Sequence, residues 1–142
     1  MTFTHERPPV VVDASVAVAL ALRERQTVTA AWDQWIDEDR MLLATAIGWS
    51  EIGNALLHRL HGDPAEAALA VWSVQWAGLE TADRGPAGVR FALDLAARHR
   101  LSVHDATYLW LAIDIDGELA TLDADLARAA EAEGVALALP LS

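Results

Sequence analysis

The chain has 142 residues and is 54% hydrophobic, which suits one domain with a real core and argues against disorder. It contains no cysteine, which removes disulfides, thiolate zinc sites and cysteine nucleophiles together; its ten basic residues are all arginine, so Schiff-base and P-loop chemistry are excluded as well. A net charge of −11 makes it a poor non-specific binder of nucleic acid, so any nucleic acid it acts on must be held by local arginines and a metal.

Residues 1–7 carry His5, Glu6 and Arg7 with no apolar h-region, so no signal peptide is expected. No stretch is long and apolar enough to span a bilayer, and the composition fits a cytoplasmic protein. Pro8-Pro9-Val10-Val11-Val12 reads as a short strand, apolar on both faces as in a parallel sheet, ending at Asp13. Residues 14–23 and 27–39 read as helices, 41–44 as a strand, and 47–60 as a helix with Ile52, Leu56 and Leu60 on one stripe. Gly62-Asp63-Pro64 breaks the chain and opens a helix over 64–76, with proline in its first turn. A weak strand at 79–82, a helix at 86–98 and a strongly apolar helix at 102–116 follow. Residues 119–122 read as a strand ending at Asp123, residues 124–133 as a helix closed by Gly134, and 135–139 as the last strand. Strands alternating with helices predict an α/β sandwich around a parallel sheet.

Four acids stand out. In an open parallel sheet, ligands sit beyond the carboxyl ends of the strands, where Asp13 and Asp123 are expected. Each also precedes a helix and fits an N-cap equally well. Asp105 closes Ser102-Val103-His104-Asp105, which looks like a capping box, yet it also opens a helix that is apolar nearly all round. A carboxylate at so buried a mouth needs a partner or a cation. Glu51 is the only acid between Arg40 and Asp63, on a helix with few other charges. On a parallel sheet all four can converge on one edge. Clustered carboxylates raise one another's pKa, a hard cation relieves the repulsion, and all-oxygen ligation selects Mg²⁺ or Mn²⁺. Phosphodiester hydrolysis is the natural chemistry of such a site.

These motifs together resemble PIN-domain ribonucleases, and within them the VapC-type toxins of toxin–antitoxin pairs. The resemblance covers nearly the whole chain, read as one PIN-like domain over 1–142. It rests on Val11-Val12-Asp13-Ala14-Ser15, Ser50-Glu51-Ile52-Gly53-Asn54-Ala55-Leu56, His104-Asp105-Ala106-Thr107-Tyr108-Leu109 and Thr121-Leu122-Asp123-Ala124-Asp125-Leu126, in order. It implies a three-layer α/β/α sandwich with a parallel five-stranded sheet. It also implies Mg²⁺- or Mn²⁺-dependent endonuclease activity on RNA (tRNA, rRNA or mRNA). Asp13, Glu51, Asp105 and Asp123 would form the metal and catalytic site, with Ser15 and Thr121 as polar neighbours and Asp125 as a candidate fifth acid. His104 stands where tyrosine is more usual, a departure expected to touch no acid. A homodimer and a cognate antitoxin are implied as well.

Two other functions compete. A phosphatase using an acidic pocket is disfavoured because a receiver domain needs a lysine and a haloacid-dehalogenase-type enzyme needs an aspartate where Ser15 stands. A non-catalytic PIN-fold interaction module is the other alternative. The pairs Trp32/Trp35 and Trp72/Trp76 share helix faces by spacing and are expected in the core; His58 and His61 are expected at the surface.

Overall fold

The computed structural model describes residues 7–140, so most of the N-terminal segment read for a signal peptide lies outside the described residues. Four parallel strands, β1 (Val10–Val12), β2 (Leu42–Ala44), β3 (Leu79–Thr81) and β4 (Glu118–Ala120), form one sheet in the order β3-β2-β1-β4. Between β1 and β2 lie α1 (Ala14–Leu22) and α2 (Gln26–Asp37), and between β2 and β3 lie α3 (Ala46–Arg59) and α4 (Pro64–Trp76). Helices α5 (Gly85–His99) and α6 (Val103–Asp114) cross from β3 to β4, and α7 (Ala124–Ala132) follows β4.

The alternation of the strands builds three layers. Val10 and Val12 belong to a core with α1–α4, whereas Val11 faces the opposite way into a core with α5–α7. All three valines are fully buried, as a central parallel strand requires. The α/β/α expectation is met. The fifth strand is reduced: Leu137 forms one isolated parallel bridge with Leu119, closed by Leu119 N–H to Ala136 O at 3.0 Å and Ala138 N–H to Leu119 O at 2.8 Å. Likewise β4 stops at Ala120, because the Thr121 and Asp123 side chains turn the chain into α7.

The tryptophans divide. Trp32 and Trp35 are buried, and Trp32 donates its indole N–H to Ala77 O at 3.0 Å. Trp72 and Trp76 instead stack on each other in solvent at a centroid separation of 5.5 Å, and Trp76 is 79% exposed. Helix α4 buries Ala67 and Val74, and at 100° per residue Trp76 lies on the side opposite Ala67. His58 and His61 are exposed, as expected.

The edge opposite the strand carboxyl ends is tied by Arg40, which is 7% exposed. Its Nε donates to Pro8 O at 2.8 Å, and its Nη2 lies 2.9 Å from Glu118 Oε1. One side chain thereby joins the entries of β1 and β4. Arg40→Met should strand the Pro8 carbonyl and the partly solvated Glu118, at a cost of about 2 kcal/mol. A lowered urea midpoint with an unchanged slope would register that loss.

Candidate acidic site at the sheet edge

The strand order reverses direction between β1 and β4, since β1 is followed in space by β2 on one side and by β4 on the other. Crossovers leave toward opposite faces at such a switch point and open a crevice beyond the strand ends. Asp13 sits there, 4% exposed, with its N–H bonded to Ala120 O of β4 at 3.1 Å. Its Oδ1 accepts from Ser15 Oγ at 2.5 Å and from Val16 N at 3.2 Å; its Oδ2 accepts from Thr121 Oγ1. Asp13 is therefore a helix N-cap and an edge carboxylate at once. Both hydroxyls are themselves held by backbone, Ser15 Oγ by Leu122 N at 3.1 Å and Thr121 Oγ1 by Asp123 N at 3.0 Å. Burial pushes the Asp13 pKa up to about 6, with the Asp105 charge adding to it, and the three hydrogen bonds pull against that rise.

Glu51 reaches the same edge from α3, in the opposite layer from α6. Its Oε1 accepts from the Tyr108 hydroxyl at 2.8 Å, and its Oε2 lies 3.0 Å from His104 Nε2. The third-acid motif contains Tyr108 without giving it a role, and the departure at His104 is expected to touch no acid; both residues contact Glu51. The signal for Tyr108 was available: it is the chain's only tyrosine and lies three residues from Asp105, on the same helix face. Burial raises its pKa strongly, with the Glu51 bond adding to the effect, so the phenol stays a donor. Its approach depends on Gly48, where a Cβ would fall 2.5 Å from the Tyr108 hydroxyl. Thr45, also unremarked in the sequence, caps α3 by accepting from Gly48 N at 3.0 Å and is 5% exposed.

Asp105 lies in the first turn of α6, where Ser102 Oγ accepts from its N–H at 3.2 Å. This is the forward half of the expected capping box. The Asp105 carboxylate accepts no hydrogen bond among the described residues, so it is not consumed by the cap. Ligand atoms of Glu51, His104 and Asp105 lie within 4.8 Å of one another. Asp123 is exposed and caps α7, with Oδ1 accepting from Asp125 N at 2.8 Å and Leu126 N at 3.4 Å. It joins the network through its backbone, by way of Thr121. Asp125 is 71% exposed in its side chain and pairs with Arg128.

The structure thus brings Glu51 and Asp105 together with His104, places Asp13 beside them, and leaves Asp123 at the rim. The donor set suits a hard divalent cation. A carboxylate offers about four lone-pair positions; on Asp13 three are taken by hydrogen bonds, which leaves one on Oδ2 for a cation.

The profile of the PIN domain family matches residues 10–132, a span that contains every residue of this site. The chain belongs to the PIN-domain family. Solved structures share the fold. The Pyrobaculum aerophilum protein PAE2754 is similar at 24% identity, over 96% of this chain and 93% of that one, with a TM-score of 0.69. The Mycobacterium tuberculosis toxin VapC20, described as cleaving the sarcin–ricin loop, is 18% identical over 84% of this chain and 94% of its own, with a TM-score of 0.66. VapBC2 of Rickettsia felis, solved with a fragment of promoter DNA, is 10% identical over 90% of this chain and 96% of the matched one, with a TM-score of 0.69. A search of curated protein sequences finds no match.

Two measurements probe this PIN-domain site. An acid whose folded pKa lies above its unfolded value binds its proton more tightly when folded, so stability is lost as pH rises from about 3.8 to about 6. For Asp13 the penalty above that window amounts to about 3 kcal/mol. In metal-free buffer, Asp13→Asn should be more stable than the native chain at pH 7.5, with the advantage vanishing near pH 4. Urea titrations across that range would show a difference that does not vary with pH if the reading is wrong. Separately, Gly48→Ala should drive the Tyr108 hydroxyl off Glu51, seen as a changed tyrosine absorbance with the fold retained by circular dichroism.

Proposed function

We propose that this PIN domain is a Mg²⁺- or Mn²⁺-dependent endoribonuclease and the toxin of a type II toxin–antitoxin pair. The observation that carries the reading is the convergence of Glu51 and Asp105, from opposite helical layers, beside the buried Asp13. Carboxylates gathered in this way repel one another, and a divalent cation relieves that repulsion. Asp13, Glu51 and Asp105 would hold the ion, with Asp123 at the rim joining directly or through water and Asp125 outside it. When bound, such an ion supplies an activated water and a clamp on a phosphate oxygen. Ser15 and Thr121 fix the Asp13 carboxylate; Tyr108 fixes Glu51.

The charge distribution supports dependence on an ion. Arg7, Arg40, Arg59, Arg84, Arg98 and Arg128 each pair with an acid, so much of the positive charge is already compensated. Phosphate must then be held largely through the cation. A groove of about 280 Å³ adjoins the site, lined by Thr45, Ile47, Asp83, Val89, His104 and Thr107 among others, and gives room for a nucleotide next to the acids. RNA, whether tRNA, rRNA or mRNA, is the substrate in this reading, in keeping with the loop-cleaving activity stated for VapC20. A cognate antitoxin with a basic segment suits the acidic chain, toxin–antitoxin complexes stand among its structural neighbours, and a homodimer completes the proposed assembly.

RNA cleavage should require Mn²⁺ or Mg²⁺, stop in excess EDTA, and be abolished by Asp13→Asn without loss of the fold. Mapping RNA ends after induction in cells would locate the cut. Cleavage that persists undiminished in EDTA, or growth inhibition by Asp13→Asn equal to that of the native chain, would overturn the reading.

A further inference from the structure

We propose that His104 supplies an imidazole nitrogen to the cation site, so that the site prefers Mn²⁺ over Mg²⁺. This rests on the reading that the acids hold a divalent ion, and adds to it a ligand and a selectivity that an all-carboxylate site would lack.

The geometry is direct. His104 Nε2 lies 3.0 Å from Glu51 Oε2, and ligand atoms of His104, Glu51 and Asp105 all fall within 4.8 Å of one another. Two donors on one cation, each at about 2.1 Å, can stand up to about 4.2 Å apart, so the three need close by only a fraction of an ångström to share an ion. The positions are also prepared. Glu51 is fixed through its other oxygen by Tyr108, and Asp105 is the neighbour of His104 on the first turn of α6. The His104 side chain is 45% exposed, so an ion can reach it without unfolding anything.

Chemistry decides the preference. Mg²⁺ is hard, demands oxygen ligands and keeps its waters. Imidazole suits first-row transition ions better than it suits Mg²⁺, and of the two ions that the acidic site calls for only Mn²⁺ is a transition ion. A mixed nitrogen–oxygen set therefore gains affinity for Mn²⁺ and gains little for Mg²⁺. The alternative role for His104, donating a hydrogen bond that positions Glu51, predicts no such selectivity.

The test is ion binding to the whole chain, read by calorimetry and by pulsed electron paramagnetic resonance of bound Mn²⁺. The native chain should bind Mn²⁺ at least about tenfold more tightly than Mg²⁺, and its spectrum should carry nitrogen modulation from a directly bound imidazole. His104→Gln keeps an N–H that can reach Glu51 but removes the imidazole. It should lose the nitrogen signal and about tenfold of the Mn²⁺ affinity, while Mg²⁺ affinity stays close to native. If the native chain binds Mn²⁺ without nitrogen modulation, or His104→Gln binds it as tightly, His104 is not a ligand and the acidic metal site still stands. If the native chain binds neither ion at millimolar concentration, the metal reading itself fails, and this proposal with it.

Discussion

Both carboxylate oxygens of Asp13 are held by hydroxyls that are themselves held by backbone amides. Leu122 N–H binds Ser15, which binds Oδ1; Asp123 N–H binds Thr121, which binds Oδ2. These two relays lock the end of β1 to the turn after β4, at the one place where the sheet changes winding direction. They also solve the problem posed by a charge at the end of a fully buried strand, since an acid so desolvated must be hydrogen-bonded, protonated or paired with a cation. The hydrogen bonds do not fully offset the burial, and the carboxyl is left with a raised pKa of about 6. A cation beside this carboxyl would relieve the cost of its burial.

The other acids depend on that junction in different degrees. Glu51 and Asp105 ride on helices from opposite faces of the sheet, and Tyr108 of α6 meets α3 at Gly48 and Glu51. The absent side chain of Gly48 lets the Tyr108 hydroxyl come within hydrogen-bond reach of Glu51. Asp123 is linked through its backbone alone, with its carboxylate engaged in capping α7 and open to solvent. The site is graded from a rigid, dry interior at Asp13 to a wet rim at Asp123.

Two aromatic pairs lie outside the hydrogen-bond network of this edge. Trp72 and Trp76 stack on α4, and Phe91 stacks on Trp110 with nearly parallel rings. Spacing alone placed both tryptophan pairs on shared helix faces, which is correct. It did not reveal which face would meet the core. Helix α2 turns its pair inward, whereas α4 buries small residues and turns its pair out.

Much of the fold was legible because its signals are local. Apolar strands flanked by helices, a proline opening α4 and Gly134 closing α7 fix element type and order from short-range sterics and hydrogen bonding. The winding of a parallel sheet then implies a crevice at the strand ends, so Asp13, placed directly after Val10-Val11-Val12, was assigned to the edge from sequence. What the sequence could not supply was contact across layers. That His104 meets Glu51, that Tyr108 holds it and that Gly48 makes room all follow from how helices distant in the chain pack. The fifth strand failed for the same reason. Its residues have strand character, but only one bridge to Leu119 forms, because pairing is decided by where the partner edge ends and not by the segment itself. The sequence determined which acidic groups the chain carries; the tertiary structure decided which of those groups share a site, since side-chain convergence depends on packing between residues up to 108 positions apart.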